Sequence, residues 1–265
     1  MTGAPTLHDA RVLVVGGSSG IGRAIAAHAA RAGAQVCVAA RRSAALAELC
    51  NGSPRSHAIT ADVTVPADCA RIVAESVAAM GGIDLMVYAA GTGTLARLVD
   101  TDPDAWHRDY AVNVIGPTLV CGAAMSALAP DGLVSFISSE AVTETRWGLS
   151  SYAASKAALD ATIRSWRVEH PERRFQRIVM GATIGTDFGT GFDMELITAG
   201  MDRWVSAGVS MTMMDADDVG QQLSEVYAVL LAHPQIDVPD LCLDPRGDAW
   251  RTAEAREAST PRPGS

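Results

Sequence analysis

The 265 residues are 48% hydrophobic and 19% charged, with a formal net charge of −9. That supplies a sizeable core, and an α/β chain of this length commonly stays one domain. The acidic balance repels phosphate backbones, no basic stripe carries interleaved aromatics, and no run of about 18 apolar residues occurs, which argues against nucleic-acid and membrane partners.

Residues 1–17 lack a charged start followed by a long apolar segment, so the expected location is cytoplasmic. Five cysteines and six histidines are scattered without ligand spacing, which predicts reduced thiols and no metal site.

In chain order, the first strand is expected at 11–15 (RVLVV), and it runs directly into Gly16, Gly17, Ser18, Ser19, Gly20, Ile21 and Gly22. A helix at 20–32 follows, so the glycines let backbone approach a phosphate while the helix N-terminus presents its free N–H groups. The second strand, 35–40, ends in Arg41 and Arg42, where an NAD enzyme would carry an acid for the ribose 2′-hydroxyl. Two guanidiniums suit a 2′-phosphate, so NADP(H) is the expected cofactor.

A helix at 43–50, a strand at 57–60, a helix at 66–80 and a strand at 83–88 continue the alternation that builds a parallel sheet with helices on both faces. A single helix is expected over 103–128, with Asn113 four residues before Pro117. Proline has no N–H, so the Asn113 carbonyl loses its helical partner and the helix must bend or admit water there. The reading is open between a packing kink and a water path toward Lys156.

The strand at 132–138 ends in Ser138 and Ser139 at the sheet edge where α/β proteins gather ligands. Either hydroxyl could meet a substrate oxygen, and strand alternation does not choose between them. In the helix 151–168, Tyr152 and Lys156 stand one turn apart on one face, which puts an ammonium beside a phenol to strengthen it as an acid. Lys156 is the only lysine among 21 lysines and arginines.

After a strand at 175–180, residues 187–214 lack a clean period and are interrupted by glycines, so they read as a substrate cover with Phe188 and several methionines as its apolar lining. Glu140 and Trp147 lie near the reacting edge and are further candidates to face substrate. A helix at 215–232 and a strand at 240–243 complete one domain over 1–247, and 248–265 reads as a disordered tail.

The set GGSSGIG, Asp62-Val63-Thr64, NVIG, SS and YAASK resembles the short-chain dehydrogenase/reductase family over roughly residues 8–245. The resemblance implies a doubly wound, Rossmann-type sheet of seven parallel strands and a homodimer or homotetramer joined through the helix of Tyr152 and the helix before it. Family spacing selects Ser139, thirteen residues before Tyr152, and makes Asn113, Ser139, Tyr152 and Lys156 a catalytic tetrad. It further implies that Asp62 and Val63 flank the adenine, that Arg41 marks NADP preference, that Ala90 and Gly91 line the cofactor, and that Ile184 and Thr186 meet the nicotinamide end.

Three departures stand out: Gly16-Gly17 replaces Thr-Gly, Tyr88-Ala89-Ala90-Gly91 replaces Asn-Asn-Ala-Gly, and Gly181-Ala182 occupies the usual Pro-Gly region. The activity implied is hydride transfer between NADP(H) and a carbonyl or alcohol, with Tyr152 as general acid/base. An NADPH sensor without turnover, or an epimerase or dehydratase working through a transient ketone, are the rival readings.

Overall fold

In the computed structural model, which describes residues 4–246, the run Arg11–Val15 (β1) is the third strand of a seven-stranded parallel sheet. The tail expected at 248–265 lies outside the described residues. Gln35–Ala40 (β2) and Ser56–Thr60 (β3) extend the sheet to one side; Ile83–Tyr88 (β4), Leu128–Ile137 (β5), Arg174–Met180 (β6) and Asp240–Leu243 (β9) extend it to the other. The spatial order is β3-β2-β1-β4-β5-β6-β9, so the connections change direction between β1 and β4. That switch point is where an open α/β sheet forms a crevice at its carboxyl edge.

Strand alternation feeds two cores. Leu13 and Val15 face one, with Cys69, Ile72, Val120, Leu159 and Ile163; Val12 and Val14 face the other, with Ile25, Leu46, Leu223 and Tyr227. The first is covered by Pro66–Met80 (α3), Gly116–Ala124 (α5) and Ser150–Glu169 (α6), the second by Gly20–Arg31 (α1), Ser43–Cys50 (α2) and Ala216–Ala232 (α8). Strands buried on both faces read as continuous apolar runs, which is why their positions were legible.

Two expected elements differ. The helix expected at 103–128 is divided into Pro103–Tyr110 (α4), a π-helical turn at Ala111–Ile115 and α5, and its expected end at 125–128 instead turns into the start of β5. Pro117 removes one N–H from the ladder, and two side chains take up carbonyls near the break: the Tyr88 hydroxyl donates to Val112 O at 2.8 Å and Thr118 Oγ1 to Val114 O at 2.7 Å.

The segment 187–214 is not irregular throughout. It contains Met194–Ser206 (α7), started by Asp193, whose carboxylate accepts from the N–H groups of Glu195 (2.8 Å) and Leu196 (3.1 Å). A parallel pair, Thr183–Ile184 (β7) with Met214–Asp215 (β8), closes this excursion at its base.

Candidate active site

The glycine turn leaves β1 with Gly16 at φ 95°, a conformation that L residues rarely adopt, and a side chain there would strike the backbone nitrogen of Ala90. Ala89 and Ala90 both donate to Val15 O, at 2.8 and 2.9 Å, so the ends of β1 and β4 are tied where the crevice opens. Helix α1 then begins at Gly20 with no acid in its first turn and no side-chain cap from Ser19. Its first N–H groups are therefore left for an anion, the arrangement a pyrophosphate requires. Gly20, Ile21 and Gly22 form that first turn, and the residues present fit a dinucleotide.

Arg42 donates to Ser18 Oγ at 2.9 and 3.1 Å and to Ser19 Oγ at 2.6 Å, and pairs with Asp187 at 2.6 Å. The Ser19 hydroxyl and the Arg42 guanidinium hold the Asp187 carboxyl below the usual carboxylate range. Arg42 thus fastens the glycine turn to the start of the cover, while Arg41 beside it is exposed. Asp62, expected at the adenine, shapes its own loop by accepting from Thr64 N at 2.9 Å and Thr64 Oγ1 at 2.8 Å. Val63 borders the adjoining core, and Thr186 packs against Gly20, while Ile184 is half-exposed on β7.

At the end of β5 and the start of α6 the residues expected to react come together. Ser139 lies beside the Tyr152 hydroxyl and favours its phenolate, and its Oγ accepts from Ala141 N at 3.1 Å. Ser138, its competitor by sequence, is buried and donates to Asp160 at 2.6 Å, a carboxylate that pairs onward with Arg177. Lys156 Nζ donates to Ile137 O at 2.8 Å and lies 5.9 Å from the Tyr152 ring centre. The Asn113 side chain is buried, donating to Thr92 O (2.7 Å) and Ser155 Oγ (2.8 Å) and accepting from Thr92 N (3.0 Å). A Cβ built on Gly91 would lie 3.6 Å from both Asn113 Oδ1 and Lys156 Nζ, so that glycine keeps a gap in front of the two.

The electrostatics correct one expectation. Burial pushes the Tyr152 phenol up to about 12; the Ser139 hydrogen bond and the Arg146 charge oppose the rise, and Glu140 and Asp109 add to it. Burial also lowers Lys156 to about 8 against the pull of Asp160. The ammonium expected to strengthen the phenol as an acid is itself weakened by the same desolvation. The phenol is a weaker acid than free tyrosine.

A short chain dehydrogenase family model matches residues 10–195. The chain belongs to the short-chain dehydrogenase/reductase family. Among relatives, it is 36% identical over 174 residues to the short-chain dehydrogenase/reductase FrzI of Cladobotryum sp, covering 64% of this chain and 67% of that one. It is 34% identical over 170 residues to a hydroxysteroid 11-beta-dehydrogenase 1-like protein of Xenopus tropicalis, covering 62% and 59%. The matched stretches thus span about half to two thirds of the curated relatives' lengths. A short chain dehydrogenase of Burkholderia cenocepacia, solved in complex with NADP, superposes with a TM-score of 0.75 at 29% identity, covering 90% of this chain and 98% of that one.

Within this short-chain dehydrogenase/reductase, the residues expected to face substrate divide. Phe188 packs tilted against Tyr152, with ring centres 4.6 Å apart and planes inclined at 56°, and Phe192 meets Phe188 edge-on at 5.6 Å. Trp147 is half-buried, with the Arg203 guanidinium 4.6 Å over its ring and its carbonyl accepting from Trp204 Nε1 at 3.1 Å. Glu140 is turned to Arg146 in an ion pair instead of being left open to substrate. The methionine lining is looser than expected: Met194, Met201 and Met213 are exposed.

Four contributors escaped the sequence reading. Arg146 and Asp187 lack a motif, since each acts on a partner far along the chain or across a loop. Ser155, a small residue between Tyr152 and Lys156, carries no local signal of the bond it accepts from Asn113. Tyr88 departs from the family pattern, and its hydroxyl bond to Val112 supplies a different brace at the position where that pattern has Asn.

Proposed function

We propose that this enzyme is an NADP(H)-dependent oxidoreductase that moves a hydride between the nicotinamide and the carbonyl or alcohol carbon of a small, fairly hydrophobic substrate. The observation that carries the reading is the convergence of Ser139, Tyr152 and Lys156 at the carboxyl edge of the sheet, with Lys156 Nζ 5.9 Å from the Tyr152 ring centre, beside a glycine turn that leads into an acid-free helix N-terminus. The turn residues Gly16 to Gly22 would hold the pyrophosphate, Arg41 the 2′-phosphate, Asp62 and Val63 the adenine, Lys156 the ribose, and Ala90, Gly91, Ile184 and Thr186 the nicotinamide side. When bound, the reduced nicotinamide supplies the hydride.

Ser139 orients the substrate oxygen and Tyr152 gives it a proton. Burial keeps the phenol protonated at neutral pH, so it holds the proton that the developing alkoxide takes, and the same group accepts a proton back when an alcohol is oxidised. Asn113 holds the loop at Thr92 and the helix at Ser155, keeping the gap before Lys156 open to a water through which Tyr152 is reprotonated. A hollow of about 450 Å³ lined by Arg97, Leu98, Val99, Thr145, Arg146 and Trp147 opens beside the reacting loop and supports an apolar substrate body.

Exposed Ile115, Leu119 and Val168, on the π-helical turn, α5 and α6, support a homodimer or homotetramer joined through these helices. Five free thiols among the described residues suit a reducing, cytoplasmic setting.

The test is turnover of a ketone panel with NADPH and NADH, with cofactor loss counted against product. A reductase consumes one NADPH per product, whereas an epimerase shows no net loss and a sensor shows none. Tyr152→Phe is expected to lower turnover by about 10²- to 10⁴-fold; parental turnover in that variant would remove Tyr152 from the mechanism.

A further inference from the structure

Between Ser139 and Tyr152 the chain makes an irregular loop whose two sides are held together by one ion pair. Glu140, directly after the reacting serine, pairs with Arg146, and the two side chains are only 14% and 16% exposed. The Ala182 backbone N–H, on the segment leaving β6, lies near enough to favour the charged Glu140 carboxylate. Arg146 Nε is buried and has no hydrogen-bond partner among the described residues, so Glu140 is the acceptor that holds this guanidinium.

A buried ion pair is poor value as a stabiliser, because desolvation costs about what the attraction returns, and apolar side chains would fill the space as well. Its position gives the reason for it. We propose that Glu140 and Arg146 are positioning residues for the Ser139–Tyr152 couple: their pair fixes the loop that separates the two hydroxyls and sets a balanced pair of charges against the phenol.

The groups facing Tyr152 come from every element packed on it. Lys156 is on its own helix with its ammonium held by Ile137 O; Asp109 on α4 is buried and bonded by Ser151 Oγ at 2.7 Å; Ser139 follows β5; Phe188 covers the ring; and Glu140 and Arg146 are the loop's contribution. Arg146 favours the phenolate and Glu140 opposes it, so each charge offsets the other. Removing one must move the phenol in a direction set by the sign of what remains.

The proposal rests on Tyr152 being the acid, and the experiment separates the two. Glu140→Gln, Arg146→Met and Arg146→Lys are each prepared alone and with Tyr152→Phe, and Tyr152 is titrated as the difference in phenolate absorbance between each partner pair. The pH dependence of kcat for alcohol oxidation with NADP is followed alongside.

Glu140→Gln leaves a cation unbalanced, so its phenol titrates at lower pH than the parent. Arg146→Met leaves an anion unbalanced, so its phenol titrates at higher pH, and Arg146→Lys stays near the parent. Both charge-removing variants lose tenfold or more in kcat as the loop loosens, while the KM for NADPH stays within about twofold, since neither residue lines the cofactor turn.

Shifts of the same sign in the two variants, or no shift in folded protein, overturn the proposal, because a merely structural pair lowers activity without moving the phenol in opposite directions. If Arg146→Met does not fold, Glu140→Gln and Arg146→Lys decide the matter: a downward shift in the first with none in the second supports the pair, and an upward or absent shift in Glu140→Gln overturns it. Should Tyr152→Phe alone keep parental turnover, the assignment of the acid fails, and the opposite shifts in absorbance still report on the pair.

Discussion

Burial lowers the Lys156 ammonium to about 8, with Asp160 pulling the other way. The charged form therefore exists below about 8 and is lost as pH rises through it. If the ammonium grips the cofactor ribose, kcat/KM for NADPH falls about tenfold per pH unit above that point, since this ratio reports the free enzyme's ionisations. A profile flat to pH 10 would show that the charge does not serve binding, and Lys156→Ala should abolish the pH dependence along with most of the affinity. Tyr152 and Lys156 were readable because a four-residue spacing on a helix fixes their shared face. Ser138 and Ser139 were not separable by alternation, and what divides them is the place of Asp160, which claims Ser138. Arg146 was unreadable because its importance depends on a loop closing on Glu140, and the local sequence carries no period that records this.

Helices α1 and α8 cross on one face of the sheet, and their contact depends on Gly220. A Cβ there would meet Ala24 Cβ, and would lie 2.8 Å from Ala24 C and 2.9 Å from Ile25 N. Alanine in a helix interior ordinarily gains about 0.5–1 kcal/mol over glycine, but overpacking against backbone costs about 1–3 kcal/mol. The steric effect wins, so Gly220→Ala should lower the urea midpoint at unchanged slope; a raised midpoint would show that the crossing yields easily. The same scale explains which elements were legible. Apolar runs such as RVLVV place strands wherever both faces are buried. The break at 111–115 was foreshadowed by Pro117, but its π-helical form depends on Tyr88 reaching Val112 from β4. Helix α7 was missed because Gly200 interrupts its pattern and much of its surface is exposed, although Asp193 two residues before Glu195 is an ordinary N-cap signal.

Across the whole molecule the thiols report on core integrity. Cys37 and Cys121 are buried and pushed by desolvation up to about 11 and about 12, whereas Cys242 lies exposed on the edge strand β9. Native protein treated with iodoacetamide should therefore be labelled first at Cys242, with Cys121 reacting only as fast as the molecule unfolds; rapid native labelling of Cys121, read by peptide mass, would contradict the packing described. The sheet order places β1 beside β4, and the Arg11–Asp84 pair at 2.6 Å joins those strands at the edge opposite the crevice. By itself the sequence determined the alternation of strand and helix, the glycine turn and the Tyr152–Lys156 face, because each follows from neighbours within a few residues. Only the tertiary structure decided that Asp160 claims Ser138, that Arg42 is the arginine that fastens the cover, and that burial raises the phenol. Those outcomes depend on burial and on charges brought together from distant parts of the chain, and no local spacing encodes them.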